Sequence, residues 1–320
     1  PSLSHAVTAA FHAYLRRTKN FGFGRRLDYA GRQVLQHHFA RGHHGSQRTQ
    51  SERWARLSAW LRDAGIRDMR DVRPEHVTAF ADERLEHGVA PRTVANEISA
   101  ANTVMRHATR NAWTPLSPSK IVGARDDVRR HAPASSDRTV DERARAALAP
   151  YPRAAAVWQL ARETGMRSQE ASLADLDRLS REAKNYGAIN VQDGTKGGRD
   201  AARWIALSDR AHNALAAARD ASPAGSRNLL RVDESYKHWC NGELRAGRDA
   251  LHRLGVTGFH DARAAYACDR YRDETAREAP AVAGHREAPR IVDRAAREII
   301  ARELGHGRTA VTTSYVGSAK

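Results

Sequence analysis

LGHGRTAVTTSYVG, residues 304–317, sets His306 nine residues ahead of Tyr315 near the end of the sequence. Working back from it, three further stretches carry polar groups in a fixed order. They are FHDARAAYA (259–267) with His260 and Arg263, DGTKGGRDAARWIAL (193–207) with Lys196, and TGMRSQEASLADLD (164–177) with Arg167 and, one helical turn on, Glu170. No piece is informative alone. His-x-x-Arg recurs at His38 with Arg41 and at His107 with Arg110, and Gly-His recurs at Gly42-His43 and Gly284-His285, so order and spacing carry the reading. Lysine is scarce: Lys19, Lys120, Lys184, Lys196, Lys237 and Lys320 are all of it. Lys196 falls on the turn between two strand-like segments, Ala188–Gln192 and Ala201–Leu207.

These residue types suit one chemistry. Breaking a phosphodiester requires charge on the non-bridging oxygens of a five-coordinate phosphorus to be neutralised, and two guanidiniums do this with bidentate geometry at any working pH. Arg167 and Arg263 are the candidate pair. The leaving 5′ oxygen needs a proton, which a flexible ammonium on a hairpin, Lys196, can deliver. Tyr315 supplies the nucleophile. A phenol with a pKa near 10 is mostly protonated at neutral pH, so a nearby base is needed, and His260 is the candidate. Glu170 is expected to hold catalytic side chains in place. Neither a phosphate-binding glycine loop nor a carboxylate cluster is present, and resealing through a phosphotyrosine needs neither ATP nor a metal, so no cofactor is expected.

Outward from the motifs, the first third reads as helices. Apolar residues recur at helical spacing through Ala6, Ala10, Phe11, Ala13 and Tyr14, and through Trp54, Leu57, Trp60 and Leu61. A further segment opens at Pro74 and carries Val77, Phe80, Ala81 and Leu85 to Gly88; another begins near Pro91 and runs through Val94, Ile98, Ala101, Val104 and Met105. The spacing predicts a helical bundle over residues 1–112. Prolines at 115, 118 and 133 and the stretch ARDDVRR mark residues 113–138 as a linker. Residues 139–320 then form a second, helical domain with a helix around Pro152 to Glu163 and a small sheet.

The sequence has 53 Lys+Arg against 37 Asp+Glu, a formal charge of +16, so a polyanion is the natural partner. Arg92, Arg106, Arg199 and Arg203 are the candidate DNA contacts outside the motifs. Cys240 and Cys268 are too few for a disulfide framework, which fits a reducing cytoplasm. No apolar run is long enough to cross a bilayer and no secretion signal opens the sequence, so no membrane association is expected. His37, His38, His43 and His44 lie together, but without cysteine or a regular helical pair a basic turn facing phosphates is expected rather than zinc.

Taken in order, the second domain resembles the tyrosine recombinases, or phage-type integrases. Their pattern is an Arg in a T-G-x-R helix start, a Lys in a β-hairpin, H-x-x-R, L-G-H, and a Tyr near the end, and all five elements are present. RTVANEISAANTVMRHA (92–108) is similar to the family's core-binding domain. The resemblance implies a mainly α fold with a small β-sheet in the catalytic domain, arranged as a two-domain clamp on double-stranded DNA at specific recombination sites. It implies a homo-tetramer that passes through a Holliday junction, with accessory DNA-bending proteins as possible partners. It gives His306 a hydrogen bond to the scissile phosphate. Type IB topoisomerases and telomere resolvases share this chemistry, and a non-catalytic DNA-binding regulator could share the fold. Two departures stand out. Arg263 and His306 are separated by more chain than is usual, which implies an inserted, charged segment around 275–300 that contacts DNA or a neighbouring subunit, or is a solvated excursion. The sequence also stops five residues after Tyr315, where many relatives continue into a tail that docks on the next protomer.

Overall fold

A computed structural model describes residues 18–39, 44–124, 126–195 and 202–318. They form two compact units that divide between Asp126 and Asp127, each with its own apolar core. Among the described residues no helix is long and apolar enough to cross a membrane.

The first unit contains α1 (Leu27–His38), α2 (His44–Asp63), α3 (Pro74–Glu86), α4 (Pro91–Ala108) and the short α5 (Pro118–Val122). Three of them open on proline, whose missing N–H is no loss in a first turn. In α4, Val94, Ile98, Ala101, Val104 and Met105 repeat every three or four residues and are all buried. They meet Val34 and Leu35 of α1 and Leu57 and Leu61 of α2. Glu97 is buried on the same helix. Its carboxylate is satisfied by Arg56 Nε at 2.7 Å and Arg84 Nε at 3.2 Å. Arg92 and Arg106 lie on the opposite, exposed face of α4. The expected segment through Ala6 and Tyr14 lies outside the described residues, as does His43. His38 instead stacks on His107, with ring centroids 5.9 Å apart.

α1 is a helix that the sequence reading does not single out. Leu27, Ala30, Val34 and Leu35 form its inner face, and Trp54 Nε1 of α2 donates to Leu27 O at 2.8 Å. The two units divide within the expected linker, and both of its ends pack onto them. Trp113 is buried, and Asn102 of α4 grips the following turn, donating to Leu116 O at 2.7 Å and accepting from Leu116 N and Trp113 Nε1 at 3.0 Å each. At the other end, Asp261 accepts from Ala134 N, Ser135 N and Ser135 Oγ, and Arg162 Nε donates to Ser135 O. The prolines of this stretch therefore mark turns within folded units.

The second unit runs α6 (Arg138–Leu148), α7 (Pro152–Thr164), α8 (Ser168–Leu173), α9 (Leu176–Tyr186), β1 (Ala188–Asn190), β2 (Trp204–Ala206), α10 (Asp209–Asp220), α11 (Tyr236–Asn241), α12 (Glu243–Arg253), α13 (Phe259–Thr275), α14 (Pro280–Ala283), α15 (Arg290–Glu303) and α16 (Thr313–Val316). β1 and β2 pair antiparallel with Ile189 opposite Ile205. α7 and α13 are the central pair, with Trp158, Leu160 and Ala161 buried on the first and Phe259, Ala262, Arg263 and Tyr266 on the second. The stretch read as an insertion is not a solvated excursion. α15 packs along α13 and buries Asp293, Ala296, Arg297, Ile300 and Ala301.

Gly31 of α1 lies against the Trp54 ring, and a Cβ there would sit 2.0 Å from Trp54 Nε1. Gly31→Ala is therefore expected to destabilise the first unit by about 1–3 kcal/mol, read by calorimetry as a lowered transition for that unit with the second unit's transition unchanged.

Candidate active site

Arg167 is the N-cap of α8, and Glu170 reaches back from the third helical position. Glu170 Oε2 accepts from Arg167 N at 2.7 Å, and Oε1 from Arg167 Nη1 at 2.5 Å. The same carboxylate, fully buried, pairs with Arg203 Nη1 at 2.8 Å and lies 3.7 Å from Arg263 Nη1. Burial pushes the Glu170 carboxyl up, but Arg203, Arg263, Arg167 and the Arg167 amide outweigh it and hold the group below its ordinary range.

Arg263 is completely buried on α13. Its Nη1 donates to Gly165 O, and its Nη2 donates to Leu304 O at 2.6 Å and lies 3.4 Å from His306 Nε2. Burial lowers this guanidinium to about 10, opposed by Tyr315 and Glu170 and reinforced by Arg167 and Arg203. It remains cationic at neutral pH. Two motif glycines make these contacts possible. Gly165 ends α7 in the left-handed region at φ 66°, which aims its carbonyl at Arg263, and a Cβ there would lie 2.5 Å from the Tyr266 ring. Gly305 ends α15 at φ 64°, where a Cβ would lie 3.2 Å from Arg203 Cδ.

Tyr315 sits on α16 and is 4 % exposed. Its hydroxyl lies 3.2 Å from His306 Nε2. The rings of His260 and His306 stand 5.3 Å and 5.4 Å from the phenol ring, and Arg263 Cζ lies 5.5 Å over its face. Burial and then Arg263, Arg167 and Arg203 push His306 down to about 3, with Glu170 opposing. His260 keeps a solvent-exposed edge; burial of the remainder, Arg263, Arg129 and Arg167 hold it below its ordinary 6.5. Both imidazoles are neutral at pH 7. Arginine can only donate, so a hydrogen bond from Arg263 makes His306 Nε2 an acceptor with its proton on Nδ1. The Tyr315 hydroxyl and Arg263 share that single lone pair, at 3.2 Å and 3.4 Å.

Arg167, Glu170, His260, Arg263, His306 and Tyr315 thus converge from three separate stretches. Lys196 and Arg199 lie outside the described residues. Arg203 departs from the reading as a DNA contact. It is 6 % exposed, donates from Nε to Glu303 O at 2.6 Å, and faces inward beside Glu170. The strand period carried that signal, because Arg203 shares a face with buried Ile205 while Trp204 points out. The hydroxyl's hydrogen-bonding neighbour is His306, whereas His260 offers a ring contact.

The profile described as Phage integrase, N-terminal matches residues 32–114, and that described as Integrase matches residues 127–269. This chain belongs to the tyrosine recombinase, or phage-type integrase, family. The Integrase match ends before His306 and Tyr315. No protein of curated function matches this integrase in sequence. Among solved structures it is similar to the Tn1549 transposon integrase in complex with circular intermediate DNA, at 13 % identity and a TM-score of 0.58 over 90 % of this chain and 95 % of that one. It is also similar to a lambda integrase dimer bound to a COC′ core site, at 15 % identity and a TM-score of 0.59 over 97 % of this chain and 80 % of that one. A lambda integrase tetramer bound to a Holliday junction matches at 15 % identity and a TM-score of 0.58 over 89 % of this chain and 74 % of that one. At these identities the likeness establishes a shared two-domain fold, mainly α with a small sheet.

The depressed His306 has a pH signature. Its folded value, about 3, lies below its ordinary 6.5, so the neutral form favours the fold fully above pH 6.5 and that contribution is lost as pH falls toward 3. Glu170, also depressed, loses its contribution in the lower part of the same range. The melting temperature of the second unit is expected to drop progressively below pH 6.5, and more shallowly in His306→Gln, in a calorimetric pH series.

Proposed function

We propose that this integrase is a site-specific DNA recombinase that cuts and rejoins strands through a 3′-phosphotyrosine at Tyr315. One observation carries the reading: a buried phenol within 3.2 Å of a neutral imidazole that is itself 3.4 Å from a buried guanidinium. The tyrosine oxygen attacks phosphorus, its proton passes to an imidazole, the P–O5′ bond breaks, and the 5′ oxygen leaves as a hydroxyl. Reversal by a 5′-hydroxyl of another strand reseals the backbone and frees Tyr315. His306 Nε2 is within reach of the phenolic proton, so it takes the base role. His260, whose ring stands 5.3 Å from the phenol ring, supports it and the incoming phosphate. Arg167 and Arg263 receive the non-bridging oxygens, and three guanidiniums against one carboxylate leave a positive site for them. Lys196, which falls between β1 and β2 in the sequence, is assigned the proton to the leaving oxygen. Arg92 and Arg106 supply phosphate contacts from α4, and most affinity comes from such contacts. Assembly as a tetramer that passes through a Holliday junction, with accessory DNA-bending proteins, completes the proposal.

In cells expressing this chain, DNA recovered with protein under denaturing conditions should carry a nucleotide-linked peptide containing Tyr315, cluster at recurrent sequences, and vanish in Tyr315→Phe. Adducts scattered without sequence preference would favour a topoisomerase, and no adduct would favour a binding protein. On a site mapped in this way, His306→Gln should slow adduct formation about a hundredfold or more, and His260→Gln less; the reverse order in a quench time course returns the base role to His260.

A further inference from the structure

The mechanism above leaves several buried cations without a task, Arg297 among them. Arg297, on α15, is 4 % exposed and lies in the segment whose length departs from the family pattern. Its Nε donates to both carboxylate oxygens of Asp293 at 2.9 Å and 3.0 Å, and Tyr271 Oη donates to the same carboxylate at 2.8 Å. The other two nitrogens reach the segment that bears the nucleophile. Nη1 donates to Thr312 Oγ1 at 3.3 Å and to Gly317 O at 3.1 Å, and Nη2 donates to Ser318 O at 3.1 Å. These acceptors stand on both sides of Tyr315, and the carbonyls of Gly317 and Ser318 follow the end of α16.

The geometry points to Arg297 as the positioning residue that fixes Tyr315 in register with His306 and Arg263. A four-residue helix has no stability of its own, because all of its terminal carbonyls seek partners outside it. A planar guanidinium with donors in a fixed fork can satisfy several such carbonyls at once, and Asp293 with Tyr271 holds the fork still. α14 closes the other side: a Cβ on Gly317 would lie 2.5 Å from Ala281 N. The residues between Arg263 and His306 therefore serve as a wall built by the same chain against which the tyrosine segment is held. Register of the nucleophile is set within one subunit and before DNA arrives.

This inference rests on the recombinase reading for its importance in catalysis, but its structural half does not. Incorporating 3-fluorotyrosine and recording 19F spectra without DNA isolates the latter, with the Tyr315 signal assigned by its loss in Tyr315→Phe. In Arg297→Gln the Tyr315 resonance should move to the solvent-exposed position or broaden, while the other tyrosine signals of the second unit, Tyr271 excepted, keep their dispersion. An unchanged Tyr315 resonance overturns the proposal. Should all signals collapse because the variant does not fold, Asp293→Asn, which keeps the arginine, should still broaden Tyr315 selectively, and an unaltered Tyr315 line there overturns it equally. On a mapped DNA site, Arg297→Gln should lower the first-order rate of adduct formation at saturating DNA at least tenfold with half-saturation changed less than twofold, and Arg297→Lys should recover part of it. Absence of any adduct from the unsubstituted protein would sink the recombinase reading and leave the spectroscopic result standing.

Discussion

Glu170 is the constraint on which the second unit depends. Its buried carboxylate meets Arg167, Arg203 and Arg263, which come from the start of α8, the start of β2 and the first turns of α13. Unpaired charges of one sign cannot be gathered in a protein interior without a large desolvation and repulsion cost. One carboxylate offsets part of that cost and leaves the remainder uncompensated. A pocket so built is folded, preorganised and still positive, which is the condition for receiving a phosphate without rearrangement.

The same field acts on the two imidazoles. Burial and then the guanidiniums around His306 hold it neutral, with Nε2 3.2 Å from the Tyr315 hydroxyl. Arriving phosphate would add negative charge to this site and ease the protonation of the imidazole, so proton acceptance becomes more favourable when substrate is present. Arg297 extends the logic outward, fixing the phenol's register through backbone carbonyls.

Much of this was legible in the sequence. The helices beginning at Pro74 and Pro91 follow from proline at the first turn and apolar spacing, and the hairpin follows from two short strand-like runs around a turn. The ordered Arg, His-x-x-Arg, Gly-His and Tyr positions do converge. What failed did so for physical reasons. Prolines and charges between 113 and 138 look solvated, yet Trp113 and Ser135 are buried there through partners distant in the chain, Asn102 and Asp261. In an arginine-rich sequence a buried arginine cannot be told from a surface one by composition, so Arg203 was read as a DNA contact and Arg297 passed unnoticed. The choice between two imidazoles depends on ångström distances that spacing does not encode.

If the account is right, the empty site is a mould for a pentacoordinate phosphorus, and orthovanadate is its simplest probe. A crystal structure grown with orthovanadate should hold vanadium against Tyr315 Oη with its oxygens on Arg167, Arg263 and His306. Vanadate bound elsewhere while this pocket stays empty, or held by the arginines with Tyr315 turned away, would contradict it.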